Sequence, residues 1–302
     1  MYDTTMKNHD FLYGIIFLIL AQVMVGLNIV ISKLLLEAIP VFWLLEIRFC
    51  LAALTLLPLH WLTPARHQTL RQAFSDFSKK DGLSLSAQAL CAGVFFNCFM
   101  LTGLNYTDAN IAGIITSGLP AIIAILSWIF LKEKFSLQVF GCIGFATLGL
   151  TIITLDKFSH LDASHSLFGD LIILISLLPE AAYYVLSKLH PIKLPIFLAS
   201  SLINALNALV LLPVALATPW QPNLPSTTLF ILLAIGLTSG FFYTFWFMGA
   251  KRVDGMMASL STASMPVATV VFAFFILSER ITLLQLTGMS LVIFSIVIYA
   301  RK

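Results

Sequence analysis

Residues 117–137 read SGLPAIIAILSWIFLKEKFSL, and residues 263–283 read ASMPVATVVFAFFILSERITL. Each is an apolar run with a proline near its start, and each closes on Glu-basic-apolar-hydroxyl-Leu. Pro120 and Glu133 meet Pro266 and Glu279 at a common offset of 146 residues, and Gly103 and Asp108 meet Gly249 and Asp254 at the same offset. A chain that repeats itself at this distance in such apolar surroundings reads as a duplicated membrane fold with its working site between the copies.

Composition points the same way. Of 302 residues, 59% are hydrophobic and 10% charged, whereas charge makes up about 25% of an ordinary soluble domain. A hydrocarbon core of about 30 Å needs about 20 apolar residues per helix. Ten segments qualify, near 11–32, 41–60, 84–105, 109–131, 136–155, 168–188, 194–216, 227–249, 255–277 and 282–300. The alternation and periodic turns of a β-barrel are missing. The expected fold is an all-α integral membrane protein with ten transmembrane helices. The first segment is too long for a cleaved signal peptide, no soluble domain is expected beside the helices, and the polar insert 64–82 reads as a surface-lying turn. A net charge of +3 calls for no nucleic acid.

Basic residues set the orientation. With the N-terminus in the cytoplasm, only Lys33, Lys157 and Arg280 of the 17 Lys and Arg fall on the far side, and only Arg48 falls inside a span. The positive-inside rule then puts both termini in the cytoplasm. Five spans per half is an odd number, so the second half crosses in the opposite sense. The prediction is two inverted five-helix repeats, 11–155 and 168–300. Spans 1 and 6 align through GLNIVISK (26–33) and AAYYVLSK (181–188). The four cysteines lie in spans without CxxC spacing, and the six histidines lie at span ends or in loops. No metal and no cofactor is expected.

These features together resemble the EamA-type ten-helix members of the drug/metabolite transporter superfamily. The resemblance rests on Gly26, Asn28 and Lys33 in span 1, on IRFCLAAL with Arg48 and Phe49 in span 2, on the two Pro-to-Glu spans, and on FGDLIILISLLPEAAYYVLSK (168–188). It covers residues 12–300. One departure stands out: Glu180, after Pro179, takes the place where many members carry Trp. The resemblance implies small-molecule transport. It does not carry a substrate, because the family handles amino acids, nucleobases, drugs and other metabolites.

Several side chains are candidates for the site. Pro120 and Pro266 each remove a backbone donor mid-span and release a carbonyl one turn earlier, which makes a kink that either flexes or merely packs. Glu133 and Glu279 end the same spans at opposite membrane faces, as gates or as helix-end charges. Asp108 and Asp254 read as N-caps. Arg48 and Glu180 lie deep in spans 2 and 6, where ionisable groups are costly and are partnered or solvated by a cavity. They read as a carboxylate binder and a substrate-amine or proton site, with a structural ion pair as the alternative. Glu46, near the end of span 2, is expected to reach water. Asn28, Asn97, Thr116, Tyr183, Tyr243, Trp246 and Thr262 complete the candidate lining. The repeat matches Asn97 with Tyr243, Thr116 with Thr262 and Asn28 with Tyr183. Asn204 and Asn207 are read as bonds between neighbouring helices.

The expected function is secondary transport of small polar metabolites, amino acids or related compounds foremost, in the export direction across a bacterial cytoplasmic (inner) membrane. The two halves rock about a midplane site in alternating access. No Walker sequence is present, so ATP is not the driver, and protons are a candidate coupling ion. The small-molecule substrate and the lipid bilayer are the expected partners. Ten helices in one chain close a cavity without a second copy, so a monomer suffices and a dimer is compatible. Broad drug or nucleobase/nucleoside efflux is the alternative within transport. An integral-membrane enzyme lacks the cluster of acid, base or metal ligands it would need.

Overall fold

A computed structural model of the protein describes residues 2–64, 70–75, 77–107, 109, 112, 115–132, 140–141, 143–145, 147–149, 152, 166–222, 224–278 and 280–300. Among these residues all regular structure is helical. The helices are α1 (Tyr2–Leu35), α2 (Val41–Trp61), α3 (Lys79–Gln88), α4 (Phe96–Leu104), α5 (Leu119–Leu131), α6 (Leu167–Leu189), α7 (Ile196–Ala217), α8 (Ser226–Ala250), α9 (Gly255–Ser261), α10 (Ser264–Leu277) and α11 (Leu283–Ala300). A π-helical turn, Ala89–Phe95, joins α3 to α4, and a single turn, Leu70–Ala73, lies in the polar insert. Among the described residues seven helical segments are long and apolar enough to cross a membrane, and Leu119–Leu131 and Leu283–Ile298 are shorter apolar helices. Most of the span expected at 136–155 lies outside the described residues, as do Asp108, Glu133 and Glu279.

Local chemistry sets the helix ends. Ser78 and Asp81 form a reciprocal capping box at the start of α3. Asp254 caps α9, its carboxylate accepting from Met257 N at 2.7 Å, as the N-cap reading requires. Pro120 and Pro266 have no N–H for the carbonyls of Thr116 and Thr262, four residues back. Those carbonyls are not left free, as the sequence suggested. Leu119 N takes Thr116 O and Met265 N takes Thr262 O, so both spans tighten by one turn at equivalent places. Both helices then end on a non-glycine residue in the left-handed region, Lys132 (φ 54°) and Ser278 (φ 56°), again 146 residues apart.

Packing crosses between the halves. α1 lies along α8 and α10, α6 lies along α4 and α5, and α2 lies along α7 and α8. Paired glycines let the backbones meet. A Cβ on Gly249 would stand 2.8 Å from Gly14 O, and one on Gly103 would stand 2.8 Å from Gly169 O. The second crossing repeats the first, with Gly103 146 residues before Gly249 and Gly169 155 residues after Gly14. The two sequence halves are therefore interlocked, not packed as separate units.

Candidate functional site

Arg48 decides the site. It sits one turn past Leu44 on α2 and is 2% exposed. Its guanidinium donates Nη1 to Asn28 Oδ1 of α1 and Nη2 to Asn97 Oδ1 of α4. Each amide is itself held. Asn28 Nδ2 donates to Thr238 Oγ1 (3.0 Å) and Ser239 Oγ (2.9 Å) on α8. Asn97 Nδ2 donates to the carbonyls of Ala92 and Gly93, both at 2.7 Å, inside the π-turn. Such turns recur at functional sites because their widened ring exposes backbone carbonyls. Arg48 Nε keeps no partner, and among the described residues no carboxylate lies within ion-pair distance of Arg48.

Glu180 faces the same cavity from α6. It is 1% exposed, and neither carboxylate oxygen makes a hydrogen bond of ordinary geometry. The Tyr184 hydroxyl, one turn on, accepts from Gln22 Nε2 at 2.9 Å and interacts with Glu180. Asn28, Arg48, Asn97, Glu180 and Tyr243 all line this cavity, among apolar neighbours such as Met24 and Phe242. Its volume is about 30 Å³. That is room for about two waters, against roughly 300 Å³ or more for a metabolite pocket. In this conformation the site is too small to hold a metabolite.

A sequence model of the EamA-like transporter family matches the chain over residues 12–155 and again over residues 167–301. The chain belongs to that family. It is 28% identical over 288 residues to the uncharacterized transporter YetK of Bacillus subtilis, covering 93% of this chain and 85% of the relative. It is 30% identical over 234 residues to the uncharacterized transporter YyaM of the same organism, covering 74% and 76%. An uncharacterized transporter of Archaeoglobus fulgidus is 26% identical over 222 residues. A crystal structure at 15% identity superimposes with a TM-score of 0.72 over 96% of each chain, which shows a shared fold. This protein is a membrane protein of a transporter family.

The remaining candidates of this EamA-family protein stand away from the cavity wall. Trp246, wholly buried, donates Nε1 to Ser187 Oγ at 3.0 Å and packs against Tyr184, ring centroids 4.3 Å apart. Tyr183 leans edge-on against Tyr243 at 5.8 Å, which makes an aromatic layer behind Glu180. Thr116 and Thr262 are buried at the two helix breaks, where Thr262 Oγ1 bonds Ser259 O. Neither proline lines the cavity, although Ser259 Oγ of α9 bonds Pro120 O at 2.9 Å where the two broken spans meet. Glu46, expected to reach water, is 6% exposed, and its Oε1 accepts from Cys50 Sγ one turn on. Asn204 bonds Ser200 O of its own helix rather than a neighbour. Sequence reasoning missed Gln22, Thr238 and Ser239. Each is a lone polar residue in an apolar span, the same signal that exposed Asn28, but only the fold reveals what it bonds.

Proposed function

We propose that this protein is a secondary transporter of small polar metabolites, amino acids foremost, that exports them across the bacterial inner membrane by alternating access. One observation carries the reading: a buried guanidinium and a buried carboxyl face one cavity and do not pair. Charge buried without compensation is expensive, and in a membrane helix it marks a pathway. A zwitterion satisfies both ends, its carboxylate at Arg48, preset by the Asn28 and Asn97 amides, and its ammonium at Glu180 beside the tyrosines. Phe242 and Tyr243 in the cavity wall also favour a second reading, efflux of cationic drugs or nucleosides, because an ammonium over aromatic faces is attracted by the ring quadrupole.

The architecture we propose is ten spans in two inverted five-helix repeats, 11–155 and 168–300. Support comes from the two family matches, the paired helix breaks, the paired left-handed caps and the paired glycine crossings. The moving units are not the sequence halves. Packing supports one group of α1 with α8 and α10, and another of α6 with α4 and α5, with the cavity between them. The basic-residue bias supports cytoplasmic termini. Counterflow in proteoliposomes with labelled amino acids, nucleosides and cationic drugs, with and without a pH gradient, tests the function. Amino acids should be exchanged, and uptake of drugs or nucleosides alone would replace the reading with its rival.

A further inference from the structure

Two lysines make the same unusual contact at two places. Lys33, at the end of α1, donates Nζ to Leu104 O and Thr107 O, both at 2.8 Å. Lys188, at the end of α6, donates Nζ to Ala250 O at 2.6 Å and Val253 O at 2.5 Å. Leu104 and Ala250 are the last residues of α4 and α8, so each lysine meets a carbonyl that the helix itself leaves unbonded. It also sits at the negative end of the helix dipole. The acceptors are 146 residues apart and the lysines 155, the offsets of the glycine crossings. Both side chains are half-buried.

What the bonds connect is as informative as their geometry. α1 packs along α8 and α10, yet Lys33 grips the end of α4. α6 packs along α4 and α5, yet Lys188 grips the end of α8. Each lysine therefore ties one helix group to the other. The two ties also lie at opposite ends of the bundle. A Cβ on Gly14 would stand 2.7 Å from Val253, so the Lys188 contact lies at the Gly14 level of α1. Lys33 is 19 residues further along that helix, roughly 28 Å at 1.5 Å per residue, close to the thickness of a hydrocarbon core. The cavity lies between, with Asn28 just over one turn before Lys33 and Glu180 about two turns before Lys188.

We infer that Lys33 and Lys188 are paired latches, one for each membrane face, and that a face opens only when its lysine leaves its two carbonyls. This rests on the alternating-access reading. With both latches closed the cavity is too small for a metabolite, as its volume shows. An ammonium is suited to such a joint. Two of its three donors bind carbonyls when the face is shut, and water re-hydrates the compact charge when the face opens.

The test uses the full chain with a single reporter cysteine, Met24→Cys, in a background where Cys50, Cys91, Cys98 and Cys142 are serine. A membrane-impermeant maleimide is applied to cells and to inverted vesicles. Lys33→Met should raise labelling from the face that holds Lys33 at least fivefold and lower it from the other face, and Lys188→Met should do the reverse. The conservative Lys33→Arg and Lys188→Arg should keep the parent pattern. Equal changes on both faces, or none, in folded variants would overturn the latches. If the Met variants fail to fold, Lys33→Gln and Lys188→Gln take their place with the same two outcomes. Counterflow by the parent protein keeps the readings apart. Exchange without side-specific labelling removes the latches alone, and side-specific labelling without exchange removes the transport reading alone.

Discussion

Replacing Asn97 with Asp changes one atom type at the most informative point of the site. Arg48 Nη2 donates to Asn97 Oδ1, so the substitution sets a carboxylate against the guanidinium with no change of shape. Two unit charges about 4 Å apart at an effective dielectric near 20 attract by about 4 kcal/mol. A substrate carboxylate must then compete with a permanent internal anion. If only half of that attraction is lost to the substrate, about 2 kcal/mol, binding weakens roughly 30-fold at 1.4 kcal/mol per tenfold. Arg48 gains a charged acceptor in place of a neutral one, while the Ala92 and Gly93 carbonyls lose the Nδ2 donor and face a carboxylate oxygen instead, so the unfolding temperature reports the balance of the two. The assay is half-saturation of counterflow for an amino acid that the parent protein exchanges, alongside thermal unfolding of the purified protein in detergent. Asn97→Asp should raise the half-saturation concentration about 30-fold or more in protein that still unfolds cooperatively. Asn97→Leu is the contrast: it strands the same carbonyls but also removes the acceptor of Arg48, and should lower the unfolding temperature further than Asn97→Asp does. A folded Asn97→Asp protein that binds within threefold of the parent would refute a carboxylate site at Arg48.

Three further outcomes follow from the packing. Gly249→Val and Gly103→Val push a branched side chain into the backbone crossings at Gly14 and Gly169, and each should cost about 1–3 kcal/mol, read as a lower unfolding temperature in detergent. Pro120→Ala and Pro266→Ala restore a donor opposite Thr116 O and Thr262 O and straighten the broken spans. Initial rates of exchange should fall at least tenfold with little change in half-saturation, and the unfolding temperature should hold or rise. Asp254→Ala removes the carboxylate that accepts from Met257 N and should destabilise by about 1 kcal/mol, whereas Asp254→Asn should restore most of it.

Long apolar runs made the helices legible, because about 20 apolar residues have no other stable use. The offset of 146 was legible too, and it located the helix breaks, since a proline acts on its own backbone wherever the chain goes. Arg48, Glu180, Asn28 and Asn97 were visible for one reason, that a polar side chain in a lipid-facing length of sequence must have a use. Their partners were not visible. Asn28 meets Thr238 across 210 residues, and no local pattern encodes that meeting. The same holds for the interlocked packing. Sequence order invites two halves that move as blocks, while the glycine crossings pair α1 with α8 and α6 with α4. Thr116 and Thr262 look like cavity hydroxyls in sequence, but they serve helix ends because the prolines four residues on demand it. Lys33 and Lys188 registered only as marks of the repeat, since their acceptors are backbone carbonyls that carry no residue signature.

The most direct measurement takes the site end by end. Half-saturation in counterflow is determined for one exchanged amino acid, for its decarboxylated amine and for its deaminated acid, in the parent protein, in Arg48→Met and in Glu180→Gln. The parent should prefer the zwitterion to both analogues. Arg48→Met should lose the preference over the amine while keeping that over the acid, and Glu180→Gln should do the opposite. Folded variants that both keep the parent's two ratios would contradict a site with its two ends at Arg48 and Glu180.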